Sequence, residues 1–217
     1  MAKQEIKQEQ VLNVEEAVSR SEAFINKNKK ALVVGVVAVV VLVAAGLLTS
    51  TYVIAPREKK AAEALFMGEQ YFQNGNYETA IVEFESVIAD HKGTKAANLA
   101  KAYAGISNAK LGNYEEAISL LKAFKGNDAM IAPSVLAALG NCYAQVGNEA
   151  QAATTLVKAA QKADNNLLSP AYLIQAGQIY EKLGKKSDAL KAYTLIKDKY
   201  YGSMQAMDID KYIERVK

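Results

Sequence analysis

The segment AAEALFMGEQYFQNGNYETAIVEFESVI (61–88) decides the fold, because its pattern of small residues returns three more times along the chain. A glycine begins the pattern, a second glycine follows seven positions later, and an alanine comes five positions after that. The members of this register are Gly68, Gly105, Gly140 and Gly177, then Gly75, Gly112, Gly147 and Gly184, then Ala80, Ala117, Ala152 and Ala189. Twelve small residues in one register predict a structural repeat.

Each fixed position suits a hairpin of two helices. The first glycine and the alanine are small where two helices cross closely. The second glycine falls just past the first helix, where a left-handed backbone is nearly free for glycine. Asn76, Asn113 and Asn148 come next and are predicted to cap the second helix. Glu116 and Gln151 would complete capping boxes in the second and third units.

The register predicts an all-α domain of four units and a final capping helix. Pro133 and Pro170 would open the first helices of units three and four, where a missing N–H is harmless. Asn108 replaces an aromatic residue of the other units, so we expect looser packing in unit two. The predicted limits are about 61–97, 98–132, 133–169 and 170–202 for the units, and 203–217 for the cap.

These units resemble the tetratricopeptide repeat family, whose helix-turn-helix unit carries a small residue, an aromatic, a turn glycine and an alanine at these offsets. The resemblance covers residues 61 to about 200. It implies an α-helical solenoid whose first helices line a groove for other proteins.

The stretch ALVVGVVAVVVLVAAGLLTSTYVIA (31–55) contains no charged residue. A helix of this length is roughly 38 Å long, enough for a hydrocarbon core of about 30 Å. Thirty residues precede it and Pro56 follows it directly, which disfavours a cleaved signal peptide. The sequence therefore predicts an uncleaved transmembrane signal anchor. The other predicted segments are an N-terminal tail (1–30), a linker (56–60) and the repeat domain (61–217).

The sequence leaves open the membrane topology and the structure of the tail. Basic residues are almost equally frequent on both sides of the apolar stretch, so the charge rule does not decide the topology. The tail has a thin apolar stripe, and it is either a partly disordered segment or an amphipathic docking helix. The repeat domain carries 17 basic and 17 acidic residues, so no nucleic-acid-binding surface is expected.

The chain offers little material for catalysis. His91 stands alone in a glycine-containing loop, without a second ligand at metal-binding spacing. Cys142 falls where the repeat requires a small residue, and we interpret it as a packed apolar side chain. We therefore predict no enzyme activity, no metal site and no cofactor.

The repeat register predicts a groove that is apolar near the membrane and rich in amides farther away. An apolar peptide or an amphipathic helix would suit its proximal end. Alternatively, Leu65, Phe66 and Leu99 are covered by neighbouring helices or by the linker. The predicted groove residues are Leu65, Phe66, Glu69, Leu99, Tyr103, Ile106, Ala137, Asn141, Ile174, Gln175 and Gln178. In the apolar stretch, Gly35 and Gly46 lie in small-residue pairs that permit contact with another membrane helix.

The whole arrangement resembles the YfgM-type ancillary subunits of the bacterial SecYEG translocon. That resemblance implies an inner-membrane protein with a cytoplasmic N-terminus and periplasmic repeats. It also implies translocon subunits, a periplasmic chaperone, exported client chains and membrane lipid as partners. Two alternatives stay open: a scaffold for envelope assembly, cell-wall synthesis or stress signalling, and a cytosol-facing receptor on an organelle.

Overall fold

Helices make up every regular element of the part of the chain that the structure describes. The computed structural model describes the backbone of residues 2–217 and the side chains of residues 25–217. The predicted all-α class is confirmed. The elements are α1 (Ala2–Thr49), a π-helical stretch (Ser50–Ile54), α2 (Ala55–Gln73), α3 (Tyr77–Asp90), α4 (Lys95–Lys110), α5 (Tyr114–Ala123), α6 (Ile131–Gln145), α7 (Glu149–Ala163), α8 (Ser169–Lys182), α9 (Lys186–Lys199), a 3₁₀ helix (Met204–Asp208) and α10 (Ile209–Val216).

The chain divides into two compact units, residues 1–56 and 57–217. One helical run in the described residues, Ile25–Gln73, is long and apolar enough to cross a membrane, with a window of mean hydropathy 3.1. None of that window is buried. The stripe predicted for the tail lies outside the described side chains, apart from Ile25, which is exposed.

The predicted linker, residues 56–60, lies within the first turns of α2. Proline lacks an N–H, and its ring clashes with the carbonyl four residues earlier in a regular α-helix. The π-helical stretch directly before Pro56 widens the backbone at this point. A proline therefore does not end the helical run here, and residues 56–60 are helical.

The second unit is a solenoid of four helical hairpins, α2–α3, α4–α5, α6–α7 and α8–α9. Its core is a series of clusters, each shared by adjacent hairpins. Leu156, for example, packs with Ala137 of its own hairpin and with Ala176 of the next. At the far end, α10 covers α9, as predicted for a capping helix. Its apolar face consists of Ile209, Ile213 and Val216, all buried.

The turns within the hairpins adopt the backbone that the sequence predicts. Gly75, Gly112, Gly147 and Gly184 have φ angles between 70° and 84°. A side chain is strained in this left-handed region, which explains glycine at each turn.

Only the first of the predicted asparagine caps forms through its side chain. Asn76 accepts a hydrogen bond from the Thr79 N–H, as expected. Asn113 makes no such cap, because its side-chain amide donates to Oδ1 of Asn108 at 3.3 Å. Asn148 also makes no side-chain cap, and its amide donates to Gln151. In both turns the side-chain NH₂ donates to another side chain, and the side-chain oxygen accepts no cap hydrogen bond, so both predicted capping boxes are wrong.

Asn108 does not loosen the second unit as predicted. It is buried, and its side-chain NH₂ donates to the carbonyl of Ala104 at 3.0 Å. Its oxygen accepts from Asn113. Both ends of the amide are therefore satisfied, and a polar pair takes the place of the aromatic side chain.

Candidate protein-binding groove

A pocket of about 420 Å³ opens on the first helices of three successive hairpins, α4, α6 and α8. We call it the groove pocket. The first helices supply most of its walls because the repeat presents the same helical face in each unit. It is lined by Ile106, Ala109, Lys110, Tyr114, Ser134, Ala137, Ala138, Asn141, Cys142, Gln145 and Tyr172.

Three of the predicted groove residues come together in this pocket. Ile106 of α4 is half-buried, Ala137 of α6 is buried, and Asn141 of α6 is exposed. Ala137 thus belongs to the floor of the pocket, whereas Asn141 offers an amide that is open to a ligand.

The predicted proximal residues do not line the groove pocket, and one of them belongs to the core. Leu65 is 6% exposed and lies on the same face of α2 as Ala61 and Gly68, which packs against α3. Phe66, the next residue on α2, is 55% exposed. The proposed covering by neighbouring helices therefore applies to Leu65 and not to Phe66. Leu99 is half-buried between the first two core clusters.

Tyr103 joins the first two hairpins through aromatic packing. Its ring stacks on Phe84 with centroids 5.3 Å apart and meets the edge of Phe72 at 5.2 Å. Burial raises the pKa of the Tyr103 hydroxyl, and the nearby Glu69 carboxylate raises this pKa further. Tyr103 therefore has a structural role, and Glu69 is oriented towards it.

The predicted residues of α8 differ in burial. Ile174 is half-buried against the last core cluster, and Gln178 is exposed. The side-chain oxygen of Gln175 is buried and accepts no hydrogen bond within the described residues. Because a buried oxygen without a donor is costly, Gln175 can accept a hydrogen bond from a ligand or from water.

Sequence reasoning missed the aromatic wall of the groove pocket. Tyr172 stands five residues before Gly177, where the preceding units carry Glu63, Ala100 and Val135. It packs beside two core clusters and is half-buried. The residue type varies at this position of the repeat, so the register gave no signal for Tyr172. Tyr114 comes from the first turn of α5, which the register of first helices could not predict.

The side chains of the groove pocket are suited to binding a ligand. Its walls are largely apolar, and Lys110, Asn141 and Gln145 supply polar groups at the surface. Burial raises the pKa of the Cys142 thiol, so this side chain stays protonated and is a weak nucleophile. Among the described residues, no group of three or more His, Cys, Asp or Glu side chains is placed to hold a metal ion.

Both glycines of the apolar helix leave its surface open. A Cβ atom added at Gly35 or at Gly46 would meet nothing within 4 Å. A shallow pocket of about 360 Å³ lies beside Gly35 and is lined by Ala31, Leu32, Val36, Val39 and Val40. These surfaces allow another helix to approach closely.

The second unit has the fold of tetratricopeptide-like helical solenoids. No protein-family model matches this chain, and no curated protein matches it. Among solved structures, the crystal structure of MamA protein is similar, with 18% identity and a TM-score of 0.53, over 72% of this chain and 89% of that one. A second is the structure of nearly identical TPR-like repeats of a protein described as a Podosopora anserina kinesin light chain, with 14% identity and a TM-score of 0.55. That match covers 73% of this chain and 86% of the other.

Proposed function

We propose that this chain is a non-enzymatic, membrane-anchored scaffold that binds other proteins in the groove pocket. The observation that carries the proposal is the position of this pocket on the first helices of three successive hairpins. Solenoids of this class use such a surface to bind extended or helical segments of their partners. The apolar walls suit an apolar peptide or an amphipathic helix, and Asn141 and Gln145 supply amide groups to orient its backbone.

The apolar helix is the proposed anchor. Its 25 uncharged residues, 31–55, match the thickness of a bilayer, and every side chain in this stretch is exposed. An exposed apolar surface of this length is unfavourable in water and favourable in lipid. We place the tail in the cytoplasm and the repeat domain in the periplasm of a bacterial inner membrane.

At a finer level, we propose an accessory role at the Sec translocon. The anchor would pack beside the channel, and the repeats would work with a periplasmic chaperone on exported client chains. The combination of one N-terminal apolar helix with a four-hairpin solenoid supports this role by its resemblance to YfgM-type subunits. An envelope scaffold with other partners and a cytosol-facing organellar receptor are the competing assignments.

Site-specific photo-cross-linking from the anchor separates these assignments. Gly35 and Gly46 project from nearly the same side of a regular helix, and Val37 and Leu48 project from the opposite side. We expect adducts to translocon subunits from the two glycine positions and few from the two control positions. Adducts exclusively to unrelated envelope proteins would reject the translocon role and retain the scaffold.

Protease accessibility tests the topology. We expect the repeat domain to be protected in intact cells and digested in spheroplasts, whose periplasmic side is open. Continued protection in spheroplasts would place the repeats in the cytoplasm. That outcome would reject the proposed topology and favour a cytosol-facing receptor.

A further inference from the structure

The two edges of the solenoid differ in composition. The four turns within the hairpins form one edge, which we call the turn edge (74–76, 111–113, 146–148 and 183–185). The beginning of α2 and the connections between hairpins form the other, which we call the loop edge (57–60, 91–94, 124–130, 164–168 and 200–208). Alternation of helix direction puts every connection between hairpins on the same side as the beginning of α2.

Contacts join three of the four pairs of neighbouring segments along the loop edge. Glu58 accepts a hydrogen bond from the Lys95 N–H at 3.0 Å, which joins the beginning of α2 to the first connection. A pocket lined by Lys92 and Lys125 joins the first connection to the second. Farther along, Tyr200 donates to Asp164 at 2.9 Å, which joins the third connection to the fourth.

Large apolar side chains project from the distal half of the loop edge. Met130, Leu167, Tyr201, Met204 and Met207 are between 79% and 84% exposed. On the turn edge of the described chain, the most exposed large apolar side chain is Val146, at 37%. The strongly exposed, large apolar side chains of the turns and connections are therefore concentrated on the loop edge.

The proximal half of the loop edge is basic. Its exposed cations are Arg57, Lys59, Lys60, Lys92 and Lys125, and the exposed Lys95 follows directly at the beginning of α4. The carboxylates nearby already accept hydrogen bonds within the fold: Glu58 from the Lys95 N–H, Asp90 from the Ser86 hydroxyl and Asp128 from the Ile131 N–H. These three carboxylates keep their negative charge, but the six cations outnumber them, and a segment with net positive charge attracts an anionic surface.

The proposed anchor ends directly before this basic segment. Two residues, Ala55 and Pro56, separate Ile54 from Arg57, so the chain spans at most about 10 Å between them. The beginning of α2 must then lie near the bilayer surface, whichever way the repeat domain is turned. Arg57 is also tied to the loop edge, because its guanidinium donates to the Lys92 carbonyl at 3.5 Å.

We propose that the loop edge is a second membrane contact, which lays the repeat domain lengthwise on an anionic bilayer. The proposal rests on the proposed anchor. The basic residues lie at the headgroups near the anchor, and the distal methionines, Leu167 and Tyr201 enter the interfacial layer. Methionine, leucine and tyrosine suit this layer, and juxtamembrane cations bind acidic lipids. The turn edge then faces away from the membrane.

Lipid-based fluorescence quenching on the full-length chain tests this arrangement. Single cysteines replace Leu167 or Tyr201 on the loop edge and Val146 on the turn edge, each in a Cys142→Ala background, and carry an environment-sensitive dye. The chain is reconstituted into vesicles of phosphatidylethanolamine and phosphatidylglycerol that contain a nitroxide lipid as quencher. We expect strong quenching at both loop-edge positions and little at Val146.

Two changes should reduce the quenching at Tyr201. Exchange of phosphatidylglycerol for phosphatidylcholine, or addition of salt, weakens the electrostatic attraction. Leu167→Ser with Met204→Ser removes apolar contact with the lipid, whereas Val82→Ser, at an exposed apolar residue of α3, is the matched control and should leave quenching unchanged. All of these side chains are exposed, so we expect the thermal midpoint of unfolding to stay the same.

Failure of this inference is distinguishable from failure of the anchor. If the chain floats with vesicles after alkaline extraction but the loop and turn edges are quenched equally weakly, the anchor stands and the loop-edge contact is rejected. A chain that alkali removes from the vesicles would reject both proposals. Quenching that persists equally in phosphatidylcholine vesicles would reject the electrostatic part.

Discussion

The ring of Tyr193 occupies the space that a side chain at Gly177 would require. A Cβ atom at Gly177 would lie 2.3 Å from Cε1 of Tyr193 and 2.9 Å from its hydroxyl oxygen. Tyr193 is fully buried, so its ring has little room to move. The glycine of the fourth unit is therefore fixed by the close crossing of α8 and α9.

Gly177→Ala should destabilise the repeat domain by about 2 kcal/mol, because overpacking outweighs the better helix propensity of alanine. Chemical denaturation followed by circular dichroism measures the change. In a Tyr193→Ala background the same substitution should become stabilising by up to about 1 kcal/mol. An equal cost in both backgrounds would show that the ring is not the cause.

Glu181 joins the last hairpin to the capping helix. Arg215 of α10 donates to both carboxylate oxygens of Glu181 at 2.7 Å, and the Tyr193 hydroxyl donates to the same group. The hydrogen bond from Arg215 lowers the pKa of the Glu181 carboxyl below its ordinary value of 4.5. The buried Tyr193 ring thus connects to a charged pair at the surface.

Glu181→Gln should reduce stability at neutral pH by about 1 kcal/mol, a typical value for a surface ion pair. A carboxyl whose pKa is lowered by folding stabilises the protein above its unfolded pKa, and that stability is lost as the pH falls through the folded pKa. The difference in thermal midpoint between wild type and variant should therefore shrink as the pH falls below 4.5. A difference that is constant across this range would contradict the ion-pair explanation.

Asn108→Ala should destabilise the second hairpin by about 1–2 kcal/mol, because it removes a buried side-chain hydrogen bond to the Ala104 carbonyl and the acceptor of the Asn113 amide. Asn74→Ala, at an exposed position in the first turn, is the control and should have little effect. Denaturant titration compares the two variants. Equal stability of Asn108→Ala and wild type would show that the amide pair contributes nothing.

Cys142 should react slowly with thiol reagents in the folded protein, because it is 1% exposed and burial raises the pKa of its thiol. Labelling with a chromogenic disulfide should become fast only in denaturant. Rapid labelling of the native chain would mean that the groove pocket opens to the thiol and that this residue is accessible to ligands.

The repeat geometry was predictable because it depends on local backbone demands and on close helix crossings. Gly75 and its equivalents need a left-handed backbone, and Gly177 needs space for Tyr193. Both requirements exclude other residues, so glycine recurs at fixed positions of the repeat. The same reasoning predicted the capping helix from the apolar spacing of Ile209 and Ile213.

Side-chain partnerships were less predictable because several partners compete for one group. Asn113 matches a capping box by spacing, yet its amide binds Asn108 of the preceding helix. Leu65 was assigned to the groove by register, but it packs in the core between α2 and its neighbours. Tyr172 was missed because its contribution depends on how α8 stacks beside α6, which no local pattern reports.

A photo-reactive residue at Asn141, compared with one at Thr154, tests the protein-binding claim most directly. Asn141 is exposed in the groove pocket, and Thr154 is exposed on α7, a second helix that does not line it. In native membranes we predict that Asn141 forms protein adducts which Thr154 does not, and that Ile106→Asp reduces them without changing the helical content. Equal adducts at both positions, or none at Asn141, would contradict the groove as the binding site.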